Sequence, residues 1–179
     1  MNNDLLSVRP ALLDDYKSIV DYFLKADEAF LVGMGIDLLK LPARDTWLQM
    51  LKADFYLPLE EKQFFYMIWL ADDMPVGHCN INKIVYHQEA HLHLHLWQTQ
   101  LRVKGLGVQF LTLSLPYFFE MFGLKKLYCE PMAANATPNR TLQKVGFEFI
   151  KSYDTTPGWI NQYQTVNRWC LSHDAEKER

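Results

Sequence analysis

The chain has 179 residues and a mass of 21.1 kDa, about the size of one domain, and its 49% hydrophobic content is enough for a packed core. A formal charge of −3 and a pI near 6.0 exclude a general nucleic-acid binder, which carries a strong positive excess over a broad surface. Cys79, Cys129 and Cys170 are odd in number and form no CxxC pair, so they exclude a disulfide framework and read as reduced thiols of an intracellular protein.

The start MNNDLLSVRP has no basic segment leading into an apolar one, and no run approaches the length that spans a bilayer. We therefore expect a soluble, cytoplasmic protein with no membrane partner. Charge is uneven along the chain: residues 1–75 hold 13 acids against 7 bases, and residues 76–179 hold 8 acids against 11 bases.

LLSVR at residues 5–9 predicts a strand, and the following segment sets Leu12, Leu13, Tyr16, Ile19, Val20 and Phe23 at helical spacing. Leu31 to Lys40 is apolar and punctuated by glycine. LPARDTWLQMLKADF predicts a second helix starting near Pro42 or Asp45. FFYMIWLADDMPVGHCNINKIVY reads as an antiparallel hairpin around Asp72 and Asp73, with HLHLHLW as the next strand. VQFLTLSLPYFFEMFG carries an apolar stripe at helical spacing, closed by Gly123, with a kink or break expected at Pro116. LKKLYCEP predicts a strand, and TPNRTLQKVGF a short helix with Thr137 as cap, Pro138 in the first turn and Gly146 at its end. Two strands joined through Thr156, Pro157 and Gly158 complete a single domain over residues 1–173, with 174–179 as a loose tail.

RVKGLGV sits between a strand and a helix. The first N–H groups of that helix lack intrahelical acceptors, glycines let an anion approach the backbone, and Arg102 and Lys104 add positive charge there. The chain has no GxxxxGK[ST] phosphate loop, and GLGVQF lacks the third glycine of the dinucleotide fingerprint.

Arg102, Gly105 and Gly107 match the [Q/R]xxGx[G/A] motif, and the segment CEPMAANATPNRTLQKVGFEFI places Asn135, Lys144, Gly146 and Phe147 in the pattern of an Asn followed by Lys-x-Gly-Phe. In both motifs the chain resembles the GNAT superfamily of acyl-coenzyme A N-acyltransferases, most closely its ribosomal-protein N-acetyltransferase-like branch. The resemblance implies an α+β fold with a mixed, mostly antiparallel sheet of about seven strands flanked by helices and splayed between the fourth and fifth strands. It implies acetyl-CoA as cosubstrate, with the pyrophosphate held by Arg102, Val103, Lys104, Gly105, Leu106, Gly107 and Val108. It implies further contacts from His95, Leu96 and Trp97 to the pantetheine arm, and from Asn135 and Asn139. Two positions depart from the pattern. Pro138 replaces a frequent serine, and Leu142 stands where many members have the tyrosine that protonates the departing thiolate, which leaves the general acid unassigned.

His91, His93 and His95 alternate, so on a strand they share one face while Leu92, Leu94 and Leu96 fill the core face. In histone-acetylating relatives a glutamate eleven positions before the motif is the general base, and the resemblance puts His91 at that position. Imidazole titrates near neutral pH and suits that role. A backbone N–H near His95 could polarise the thioester carbonyl. A structural row of histidines remains the plain alternative.

The expected activity is transfer of an acetyl group to a primary amine by direct attack in a ternary complex, with a small-molecule or peptide amine as acceptor. Nucleic acid is not an expected partner, no metal is expected, and a homodimer is compatible with the resemblance. Two alternatives stay open: a catalytically weak coenzyme A-binding module, motivated by Leu142, and a metal-dependent enzyme built on the His91/His93/His95 row.

Overall fold

The computed structural model describes residues 5–98 and 105–173. Seven strands form one sheet, β1 (Leu6–Pro10), β2 (Phe64–Ala71), β3 (Met74–Val85), β4 (Glu89–Leu96), β5 (Lys126–Cys129), β6 (Glu148–Thr155) and β7 (Gln164–Ser172). Their order across the sheet is β1-β2-β3-β4-β5-β7-β6. All neighbours are antiparallel except β4 and β5, which run parallel. Five helices flank it: α1 (Asp15–Leu24), α2 (Glu28–Gly33), α3 (Arg44–Phe55), α4 (Leu106–Phe122) and α5 (Ala136–Val145). The expected seven-stranded mixed sheet, splayed after its fourth strand, is the one observed.

Alternation along β2 divides the core in two. Met67 and Trp69 join Cys79, Ile81, Leu92, Phe110 and Phe118 under α4, whereas Tyr66, Ile68 and Leu70 join Ile19, Phe23, Trp47 and Leu51 under α1 and α3. The α4 side is almost wholly apolar. Its buried polar group, Ser114, is satisfied twice: the Trp69 indole donates to its hydroxyl at 3.0 Å, and the hydroxyl donates to the Phe110 carbonyl at 2.8 Å. α4 continues through Pro116 without a break in assignment, contrary to the expected interruption. A proline removes one N–H and strains one turn, and eight buried side chains along this helix hold it against that local cost.

Three local readings shift. The first predicted helix is two, because α1 ends at Leu24 and Asp27, in extended conformation, caps α2 by accepting from the Phe30 amide at 3.1 Å. The cap of α5 is Asn135 and not Thr137, so Pro138 sits third in the helix, where an N–H is still not needed. The β6–β7 connection is longer than predicted, spanning residues 156–163. It crosses the α1/α3 side of the sheet, held by Lys83 Nζ to the Pro157 carbonyl at 2.7 Å and by the Asp37 amide to the Ile160 carbonyl at 2.8 Å. The expected tail, 174–179, lies outside the described residues. Among the described residues no helix is long and apolar enough to cross a membrane.

Candidate active site

The site starts from strand register. β3 and β4 pair His78 with His95, Asn80 with His93, and Asn82 with His91. Because all six share one face, the sheet presents two parallel rows of polar side chains under the 156–163 connection. His78, Asn80 and Asn82 are buried. Gly77 makes the pairing close at one end: a β-carbon there would lie 2.6 Å from the His95 carbonyl oxygen.

Neighbours fix the rings. His93 Nε2 lies 3.0 Å from Asn82 Oδ1, and the Trp97 indole donates to His78 Nδ1 at 2.8 Å. The His78 and His95 rings stack at 4.9 Å, and His95 also packs on Phe23 at 5.0 Å. Burial disfavours the charged imidazolium. It holds His78 well below the usual histidine range and pushes His93 down to about 4. His91 is also pushed down to about 4, chiefly by burial, which outweighs the opposing effect of Glu130. These three histidines are neutral at physiological pH, so the neutral-range titration that suggested His91 as a base is displaced to acid.

The β4–β5 ladder runs only from Glu89–Lys126 to His91–Tyr128, and beyond it the two strands diverge. Glu130 follows β5 immediately, at the mouth of that gap, with its side chain 5% exposed. It accepts from Arg168 Nη1 at 3.0 Å and from the Tyr153 hydroxyl, and His91 Nδ1 stands 3.6 Å away, too far for a hydrogen bond. The Arg168 guanidinium lies over the Tyr128 ring at 4.0 Å, which fixes the cation that faces Glu130. A cavity of about 130 Å³ opens beside this cluster. Glu130, His93, His95, Asn135, Trp47 and Trp159 are among the residues that line it; His91 is not.

The other predicted residues are placed as follows. Gly105 caps α4 in the left-handed conformation at φ +69°, which glycine adopts without a Cβ penalty. At Gly107 a β-carbon would meet, among the described residues, the Thr141 side chain at 3.8 Å, an ordinary contact distance. Leu106 is buried in the core, and the Val108 amide donates to the Gly105 carbonyl at 3.2 Å. Arg102, Val103 and Lys104 lie outside the described residues.

The Trp97 amide donates to the Val76 carbonyl at 2.9 Å, inside the sheet. In an antiparallel ladder the next residue but one repeats that direction, so His95 also turns its backbone to β3, while Leu94 and Leu96 turn theirs to the side where β5 has diverged. Asn139 spends its side chain inside the protein. Its Nδ2 donates to the carbonyls of Met132 and Asn135, and its Oδ1 accepts from Asn167 and Trp169. All four positions are used, so Asn139 braces α5 to β7. Leu142 is fully buried. Among the described residues no group of three or more His, Cys, Asp or Glu is placed to hold a metal ion.

Sequence reasoning missed Glu130 and the β3 row. Two signals were present: a carboxylate at the carboxyl end of a strand, and the alternation HCNIN, which hairpin register sets against HLHLH.

Residues 6–148 match the family model described as acetyltransferase (GNAT) domain. No curated protein sequence matches significantly. Among solved structures, the ribosomal-protein-S5-alanine acetyltransferase of Vibrio fischeri superposes with a TM-score of 0.77 at 15% identity, covering 98% of this chain and 97% of that one. The ribosomal L7/L12 alpha-N-protein acetyltransferase RimL, in complex with coenzyme A, gives 0.76 at 13% identity, with coverage of 98% and 97%. The spermidine N-acetyltransferase of Vibrio cholerae, in complex with CoA and spermine, gives 0.75 at 16% identity, covering 93% of this chain and 95% of that one. At these identities the likeness is one of fold.

Proposed function

We propose a function from one premise, that this chain belongs to the GNAT acetyltransferase family: it is an acetyl-CoA-dependent N-acetyltransferase that acts on a primary amine by direct attack in a ternary complex. The observation that carries this reading is Glu130, a buried carboxylate on the cavity wall where β4 and β5 part. An amine reaches the site as an ammonium ion, and a carboxylate attracts it, orients it and takes its proton, directly or through water. The nitrogen then attacks the acetyl carbonyl, the carbon–sulfur bond breaks, and the thiol leaves with one proton.

Coenzyme A fits the residues present. The first turn of α4 at Gly105 and Gly107, with Arg102 and Lys104 beside it in sequence, suits the pyrophosphate. The gap beyond His91 suits the pantetheine arm, with Asn135 at its edge. The Leu94 amide, turned toward that gap, is placed to polarise the thioester carbonyl, in place of the backbone of His95. Arg168 and the Tyr153 hydroxyl keep the Glu130 carboxylate in position, and His91 supports it as a neutral neighbour.

The test is a screen of primary amines that follows thiol released from acetyl-CoA and identifies the acetylated product by mass. Amine-dependent release is the expected result. Coenzyme A binding without acetylation of any amine would favour the coenzyme-binding module, the reading that the buried Leu142 motivates.

A further inference from the structure

Strand β3 carries one residue too many for its partner. From the pair Asn82–His91 to the pair Val85–Glu89, β3 advances three residues while β4 advances two, so one residue is bulged out. Lys83 sits there in the left-handed region at φ +47°, a conformation that costs energy in a residue with a β-carbon.

The bulge changes which face each side chain takes. Cys79 and Ile81 pack under α4, and by alternation Lys83 would follow them, but Ile84 packs on that side instead. Lys83 is thereby turned to the polar face, where its Nζ donates to the Pro157 carbonyl at 2.7 Å. Its charge is felt on that face: burial is the main cause that lowers the pKa values of His91 and His93, and the Lys83 ammonium adds to it.

The bond falls on a segment that shapes the cavity. Pro157, Gly158, Trp159, Ile160 and Asn161 of the β6–β7 connection all line it, and the Trp159 ring stands edge-on to Trp47 at 5.5 Å. The far half of this connection is tied to residues 35–40. There the Gln162 amide and Asn161 Nδ2 donate to the Gly35 carbonyl at 3.0 and 3.1 Å, the Asp37 amide to the Ile160 carbonyl at 2.8 Å, and Lys40 Nζ to the Asn161 carbonyl at 2.7 Å. The near half is tied to the sheet by Lys83, which does not itself line the cavity. A cavity of about 130 Å³ is on the scale of the ~150 Å³ that holds benzene, so at this size it takes a compact group.

We propose that Lys83 latches the β6–β7 connection over the cavity and so limits the acceptor to a compact amine. The latch stands on the bulge and the bond; the size limit rests on the acetyltransferase reading. Lys83 acts through the segment it holds and is a positioning residue.

The experiment uses Lys83→Gly, which removes the ammonium and relieves the left-handed backbone, so the fold is expected to survive it. Lys83→Arg keeps the charge and the reach. Two readouts are taken: amide hydrogen exchange, and kcat/KM for benzylamine against diphenylmethylamine by thiol release from acetyl-CoA. In Lys83→Gly, exchange at Asn161, Gln162 and Asp37 should quicken at least about tenfold while the β2 amides stay protected. The wild type should prefer benzylamine by about tenfold or more; in Lys83→Gly that preference should fall at least about fivefold, through KM of the larger amine, and Lys83→Arg should restore both readouts. Unchanged exchange in Lys83→Gly would overturn the latch. A wild type without that preference, or a preference unchanged in Lys83→Gly, would overturn the size limit. Faster exchange in a protein that acetylates no primary amine would keep the latch and remove the transferase reading.

Discussion

The same two strands, β3 and β4, bury opposite chemistries on their two faces. Under α4 they contribute Cys79, Ile81 and Leu92; on the other side they contribute His78, Asn80, Asn82 and the histidine row. The apolar face loses only water and gains packing. The polar face carries groups that want partners, and it offers short bonds to Trp97 and Asn82 and burial that suppresses the imidazolium. One face holds the fold together, and the other spends some of that stability on a cavity. Stability and activity should therefore separate cleanly between the two.

The largest stability effect belongs to the α4 side. Leu111→Ala should cost about 3 kcal/mol in denaturant unfolding, because the removed methyl groups leave a cavity in a packed layer, while the folded fraction keeps its turnover. Coenzyme affinity comes next. Arg102→Ala should weaken coenzyme A binding by about 1–3 kcal/mol, and Gly107→Val should do likewise by filling the space beside Thr141, as read by thermal shift; unchanged affinity in both would leave the turn a structural one.

The polar face predicts a pH dependence of its own. An unfolded histidine titrates near 6.5, while His91 and His93 in the fold titrate at about 4. Between these values the unfolded chain binds more protons, so their contribution is present above about 6.5 and is lost as pH falls toward about 4. The melting temperature should drop over that window, and His93→Gln should flatten the drop. The smallest effect is expected at Asn80, which lines the cavity: Asn80→Ala should change stability by less than about 1 kcal/mol. A larger loss would make the polar face part of the scaffold.

The order of strands and helices was legible because each element carries its own period, and the glycine turn because glycine, charge and a helix start coincide. The histidine row was legible as a row, but its burial was not, since that depends on the 156–163 connection laid across it from a distant part of the chain. Glu130 escaped for a similar reason. Its placement depends on Tyr153 and Arg168, 23 and 38 residues away, and on the divergence of two strands that pair for only three positions. The engagement of Asn139 was not legible either, since its four partners come from the loop before α5 and from β7.

The central claim is that Glu130, and not a histidine, takes the proton of the attacking amine. It is tested most directly by kcat and coenzyme A affinity for Glu130→Gln beside His91→Ala, with any amine the wild type acetylates. The account predicts that Glu130→Gln lowers kcat by roughly 10² to 10⁴ with coenzyme affinity intact, and that His91→Ala loses distinctly less. Near-normal turnover in Glu130→Gln together with a collapse in His91→Ala would contradict it and return the base to the histidine row.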